Sequence, residues 1–201
     1  MLRLFLSHVS EHKVAVSDLK RELRQYGVSG FVAHEDIAPS LEWQAEIEVA
    51  LQSMDAMAAL LTQEFHASSW TDQEVGVAIG RGVLVIPIRL PVIPYGFIAK
   101  NQALRGDLSK PAPLASSLVD ILLARPRTAA AIREALVAAL ETSSSWASSK
   151  VVATKIEAVD RFTAEHIARI EAAIVANDEV RDSFGVPEKL RRVIAKSASG
   201  G

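Results

Sequence analysis

Glu74 stands four residues after Trp70 in the stretch Ser68-Ser69-Trp70-Thr71-Asp72-Gln73-Glu74-Val75. On a helix that spacing puts an aromatic plate and a carboxylate on one face. Ser69, followed three residues later by Asp72, reads as a capping-box-like start, so the pair is expected at the N-terminal end of the helix. A fixed carboxylate can stabilise positive charge as it develops, and a flat ring can hold a flat substrate group. Taken alone, a glutamate in the first turns of a helix is usually a solvated residue favoured by the helix dipole. The company Glu74 keeps decides whether it is more than that.

The elements around it form a regular alternation. Leu2 to Ser7 is a short apolar run of the kind buried inside a parallel sheet, and Val16, Leu19, Leu23 and Tyr26 then recur at helical spacing until Gly27 stops the helix. Gly30 to Ala33 is expected as a second strand, with a polar loop from His34 to Ser40 after it. Trp43, Ile47, Ala50 and Leu51 give a second helix its inner face. Ala56 to Leu61 is expected as the third strand, Ser69 to Ile79 as the third helix, and Val83 to Ile88 as the fourth strand.

Strand alternating with helix signals an α/β fold with a parallel sheet. Ligands of such folds lie beyond the carboxyl ends of the strands, where strand order reverses. That places Ser7-His8-Val9-Ser10, His34 to Ser40, and Thr62 to Glu74 around one opening.

Beyond Leu90 the pattern weakens. Pro91, Pro94, Gly96 and Gly106 mark a long loop with a short edge strand expected near Gln102 to Leu108. Ala115 to Ala124 and Thr128 to Leu140 read as helices. The organisation expected is a main domain over 1–141, a serine-rich linker over 142–149 and a small helical extension over 150–201, with Ile167, Ile170 and Ile174 on one face. Lys189, Arg191, Arg192 and Lys196 suggest a basic face, but Glu179, Asp182 and Glu188 lie close by, so nucleic acid is not the expected partner.

Composition narrows the class further. Hydrophobic residues make up 49% of the 201 and charged residues 23%, at a net charge of −2, so a packed core forms without a strong field toward phosphate or anionic lipid. With no cysteine there is neither a disulfide nor a thiolate site, which fits a reducing compartment. The apolar start is too short for a signal-peptide core or a membrane span, and His66 lacks partners at metal-ligand spacing. No metal is expected.

Phe5-Leu6-Ser7-His8, Asp36-Ile37-Ala38-Pro39-Ser40 ahead of Trp43, and Ser69-Trp70 ahead of Glu74 together resemble the motifs of TIR (Toll/interleukin-1 receptor) domains. His34 to Ser40 is similar to their BB loop, with Ser40 where the family often has glycine. Pro94-Tyr95-Gly96-Phe97 resembles bacterial members. The resemblance implies a flavodoxin-like fold and, for enzymatic members, cleavage of the nicotinamide–ribose bond of NAD⁺, which is then substrate rather than cofactor. It implies Glu74 as the catalytic carboxylate and Ser7, His8, His34, Asp36, Trp43, Ser69 and Trp70 as substrate-binding residues.

In a prokaryotic cytoplasm the resemblance extends to antiphage components of the Thoeris type, which self-associate and make a cyclic ADP-ribose signal for a separate effector. The alternatives are a non-catalytic adaptor that works by TIR–TIR association and an enzyme like the nucleoside deoxyribosyltransferases. A phospho-receiver domain shares the architecture but needs an acidic pair after the first strand, where this chain has Ser7 and His8.

Overall fold

The computed structural model of the chain describes residues 1–32 and 43–198. Five parallel strands, β1 (Leu2–Ser7), β2 (Val28–Phe31), β3 (Ala56–Leu61), β4 (Leu84–Arg89) and β5 (Leu104–Arg105), form one sheet in the order β2-β1-β3-β4-β5. The helices among them are α1 (Lys13–Arg24), α2 (Trp43–Ser53), α3 (Thr71–Gly80) and α4 (Pro111–Ala124). The α/β architecture expected from the alternation is therefore present, in the flavodoxin-like strand order.

Residues of β3 are buried on both faces of the sheet, which is why Ala56-Met57-Ala58-Ala59-Leu60-Leu61 reads as an unbroken apolar run rather than an alternating one. On one face, Phe5, Met57, Ala59, Leu61 and Val85 pack with Ile47 and Leu51 of α2 and Val75 and Ala78 of α3. On the other, α1 and α4 pack together, with Val16, Leu19, Leu114 and Leu118 buried.

Several boundaries differ from the sequence reading by one or more residues, and three of them have a plain local account. β2 begins at Val28, two residues early, because Gly27 turns the chain at φ +71° and Val28 then pairs with Leu2 at the start of β1. α4 begins at Pro111, in the first turn, where a proline's missing N–H costs no hydrogen bond. The edge strand is only Leu104–Arg105, paired with Ile88–Arg89.

The chain divides into two compact units, one comprising Leu2–Arg24 and Val28–Thr128, the other Met1, Gln25–Gly27 and the residues from Ala129 on. The second unit holds most of α5 (Pro126–Glu141), then α6 (Trp146–Glu157), α7 (Ala164–Ala176), α8 (Asp178–Arg181) and α9 (Val186–Ala198). Helix α6 begins inside the stretch expected as linker. Serine is a preferred N-cap as well as a linker residue, and here Ser145 caps Ser148 N–H at 3.1 Å while the Ser148 hydroxyl accepts from Ser145 N–H at 3.2 Å. No helix among the described residues is long and apolar enough to cross a membrane.

Within the helical unit, α9 packs on α6 and α7, and Arg169 of α7 ties α7 back to α5. Its guanidinium donates to Glu141 at 2.7 and 2.8 Å and to Glu134 at 2.7 and 2.8 Å. These paired donors hold both carboxyls below their usual range. Because Glu134 is half exposed, the pairing is expected to be worth less than a buried one: Arg169→Ala should lower stability by about 1–2 kcal/mol. A lower urea midpoint for the helical signal that converges with wild type at high salt is the expected result.

Candidate active site

Strand order reverses between β1 and β3, whose carboxyl ends lie side by side with Ser7 opposite Ala59. Glu74 reaches this point from the first turns of α3. The Ser7 hydroxyl donates to Glu74 Oε2 at 2.5 Å, joining the end of the first strand to the third helix. Both side chains are buried, Ser7 at 1% exposure and Glu74 at 6%. Burial pushes the Glu74 carboxyl up from 4.5 to about 7, and the Ser7 bond, which favours the charged form, offsets part of that rise.

Trp70 occupies the N-cap position of α3, half-buried, and its carbonyl accepts from Glu74 N–H at 2.9 Å. The four-residue spacing therefore does act as one helical turn. The capping box expected between Ser69 and Asp72 does not form. The Ser68 hydroxyl instead accepts from Trp70 N–H at 3.3 Å, and Thr71 Oγ1 donates to the carbonyls of Phe65 and Ser68. Ser69 is exposed, and its carbonyl accepts from the Gln73 amide. Asp72 has turned to other partners, so its carboxylate is not available as a cap.

His8 follows Ser7 and is half-buried; its Nδ1–H donates to the Leu6 carbonyl at 2.7 Å. His34 and Asp36 lie outside the described residues. Trp43 opens α2, and its side chain also lies outside them.

The structure thus brings together Ser7 and Glu74, with Trp70 one turn before the carboxylate and His8 beside the hydroxyl. Sequence reasoning named Thr62, the residue after β3, only as the start of a segment at the opening and passed over its buried hydroxyl, which has no hydrogen-bond partner among the described residues. It also passed over the group formed by His66, Asp72 and Tyr95. Those three come from separate segments, so no spacing in the chain signals them. Among the described residues, no group of three or more His, Asp or Glu is arranged to hold a metal ion.

Because the native state holds the Glu74 proton more tightly than the unfolded chain, this residue's contribution to stability is fullest below about pH 4.5 and is lost as pH rises through 7. The shift corresponds to a burial cost on the order of 3 kcal/mol at alkaline pH. Glu74→Gln keeps an acceptor for Ser7 without the charge. The variant should match wild type in thermal stability at pH 4, gain on it progressively from pH 5 to 7, and hold a constant advantage from pH 8 to 9. A pH-independent difference between the two melting curves would show that Glu74 is not desolvated.

The sequence profile of the TIR domain matches residues 4–117, which takes in the sheet except for the first two residues of β1 and includes both Ser7 and Glu74. Among solved structures, the TIR domain of the Toll-related receptor TRR-2 from Hydra magnipapillata is similar at 17% identity and a TM-score of 0.49, covering 61% of this chain and 98% of that one. No curated protein matches the chain. With more than half its length matched by the family profile, the chain belongs to the TIR-domain family.

Proposed function

We propose that the chain cleaves the bond between nicotinamide and ribose in NAD⁺, with Glu74 as the catalytic carboxylate. The observation that supports this reading is a carboxylate buried where the strand order reverses, with a hydroxyl, among the described residues, favouring its charged form. Such a group is costly when ionised in an empty site, and the cost falls when a cation arrives beside it. The nicotinamide ring of NAD⁺ is a cation. As its bond to ribose breaks, the bonding electrons pass to the ring nitrogen and the positive charge passes to the ribose, giving an oxocarbenium-like transition state.

Glu74 stabilises that charge, and Ser7, by donating to Oε2, leaves Oε1 to accept from the ribose hydroxyls. Trp70 stacks on a substrate ring, while His8 and Ser69 supply polar contacts at the opening. His34, Asp36 and Trp43 complete the substrate-binding set. Nicotinamide leaves without protonation, so a single carboxylate suffices. Water adding to the ribose carbon and losing a proton gives ADP-ribose; an adenine nitrogen or ribose hydroxyl of the same molecule gives a cyclic isomer.

In this reading the chain works in the cytoplasm, assembles through its TIR surfaces and makes a cyclic signal for a separate effector in Thoeris-type antiphage immunity. The adaptor alternative gives no reason to bury a carboxylate at a cost to stability.

Incubating the purified chain with NAD⁺ and identifying the products by mass spectrometry tests the reaction and its product together. Glu74→Gln should abolish cleavage with the fold intact, since the amide keeps the shape and loses the charge; turnover at the wild-type rate sinks the proposal. Wild-type kcat/KM should rise with pH through about 7 and level off above it, being about tenfold below the plateau at pH 6. Trp70→Ala should lose about 1–3 kcal/mol of substrate binding if the ring stacks on substrate. Unchanged kinetics would assign Trp70 to packing.

A further inference from the structure

Asp72 lies two residues before Glu74 on α3, and a helix turns roughly 200° in two residues, so the two carboxylates leave opposite edges of the helix. Glu74 is engaged from β1 by Ser7. Asp72 is engaged from two other segments. The Tyr95 hydroxyl, in the loop after β4, donates to Asp72 Oδ1 at 2.6 Å, and His66, in the short 3-10 turn after β3, presents Nδ1 to Oδ2 at 2.9 Å. A carboxylate keeps the proton on that nitrogen. The two rings are themselves in contact, with centroids 4.3 Å apart.

Two further facts give this arrangement its purpose. The N-cap position of α3 is Trp70, whose side chain has no oxygen to satisfy the first N–H groups, so the turn that presents Trp70 and leads into Glu74 has no side-chain cap of its own. Both partners of Asp72 are also anchored. Tyr95 packs against the core cluster that includes Val75 and Phe65, and the turn carrying His66 is fastened to α3 by the Thr71 hydroxyl on the Phe65 carbonyl. Burial first, and then Asp72, hold the Tyr95 hydroxyl well above its ordinary range, so it remains a donor throughout neutral and alkaline pH.

We propose that Tyr95 and His66, acting through Asp72, are positioning residues for the Glu74 site: they brace the uncapped first turn of α3 and so fix the depth at which Trp70 and Glu74 are presented. The kinetic consequence rests on the NAD⁺-cleavage reading; the structural consequence does not. Helix α3 is clamped between Ser7 on one edge and the two rings on the other. Loosening one jaw lets water reach the carboxylate held by the other.

The test combines two measurements on the full chain, the titration of the Glu74 side-chain carboxyl by carbon NMR and the kinetics of NAD⁺ cleavage. The forces acting on Glu74 are burial and the Ser7 hydroxyl, so a wetter carboxyl titrates lower. Tyr95→Phe and His66→Ala should each move its midpoint from about 7 toward the ordinary carboxylate range, shift the pH profile of cleavage to the acid side and lower kcat by about tenfold. His66→Asn, which keeps a donor facing Asp72, should restore all three.

If Glu74 titrates as in wild type and kcat holds in Tyr95→Phe and His66→Ala, while only their melting temperatures fall, the brace is overturned. Should Tyr95→Phe fail to fold, the His66→Ala and His66→Asn pair decides alone. A wild-type chain that leaves NAD⁺ intact, but whose Glu74 midpoint moves in these variants and returns with asparagine, overturns the reaction and leaves the brace standing.

Discussion

The hydrogen bond from the Ser7 hydroxyl to the Glu74 carboxylate closes a gap of 67 residues and does so inside the protein, where an ionised group needs every donor it can find. Its geometry requires most of the first unit. Ser7 must end β1 with its side chain on the face that α3 covers, and β3 must run parallel beside β1 so that α3 starts at the same end of the sheet. The strand order must reverse there, because only the gap left by two chains departing in opposite directions admits a ligand. Take away the parallel pairing of β1 with β3 and hydroxyl and carboxylate no longer meet.

Helix α3 carries the consequences. Its inner face, with Val75 and Ala78, belongs to the core, so the helix cannot roll to relieve the buried charge. One edge holds Glu74 against β1 and the other holds Asp72 against Tyr95 and His66. A helix with a strong local cap would be set by its own first residues. This one is set by contacts from two distant segments and from the turn just before it, which couples the loop after β4 to the carboxylate without any change of fold.

The sequence made the sheet legible because burial on both faces writes a continuous apolar run, as in β3, and β1 and β3 are found at the residues expected. It made Glu74 legible through the helical period that sets Trp70 one turn before it. It misled at Ser69, where a serine followed by an acid three residues on looks like a capping box. Tertiary partners outbid the local one, since Tyr95 and His66 give Asp72 two hydrogen bonds where the cap gives one. It misled again at Ser145 and Ser148, because composition alone does not separate a serine that caps a helix from a serine that keeps a linker soluble. The residues that brace α3 were illegible in principle, being brought together only by the crossover from β3 to β4.

Glu74 and the paired carboxylates of the helical unit are treated in opposite ways, and the contrast bears on the proposed reaction. In the helical unit Glu134 and Glu141 face Arg169, and Glu157 faces Arg192 and Lys189; all three lie below the ordinary range, held there first by hydrogen bonds from guanidinium groups. The basic face that α9 suggests in sequence is in large part these same pairs, with Lys196 reaching Asp160 as well, so its charge is spent within the unit. A carboxylate already matched by a cation has little to offer a positively charged substrate. Glu74 is pushed the other way, buried with a hydroxyl beside it, and in the proposed reaction the charge that matches it is a cation brought by the substrate. In that proposal a group disfavoured when ionised alone, and favoured when positive charge develops beside it, strengthens its interaction as the reaction proceeds, and such a difference lowers a barrier.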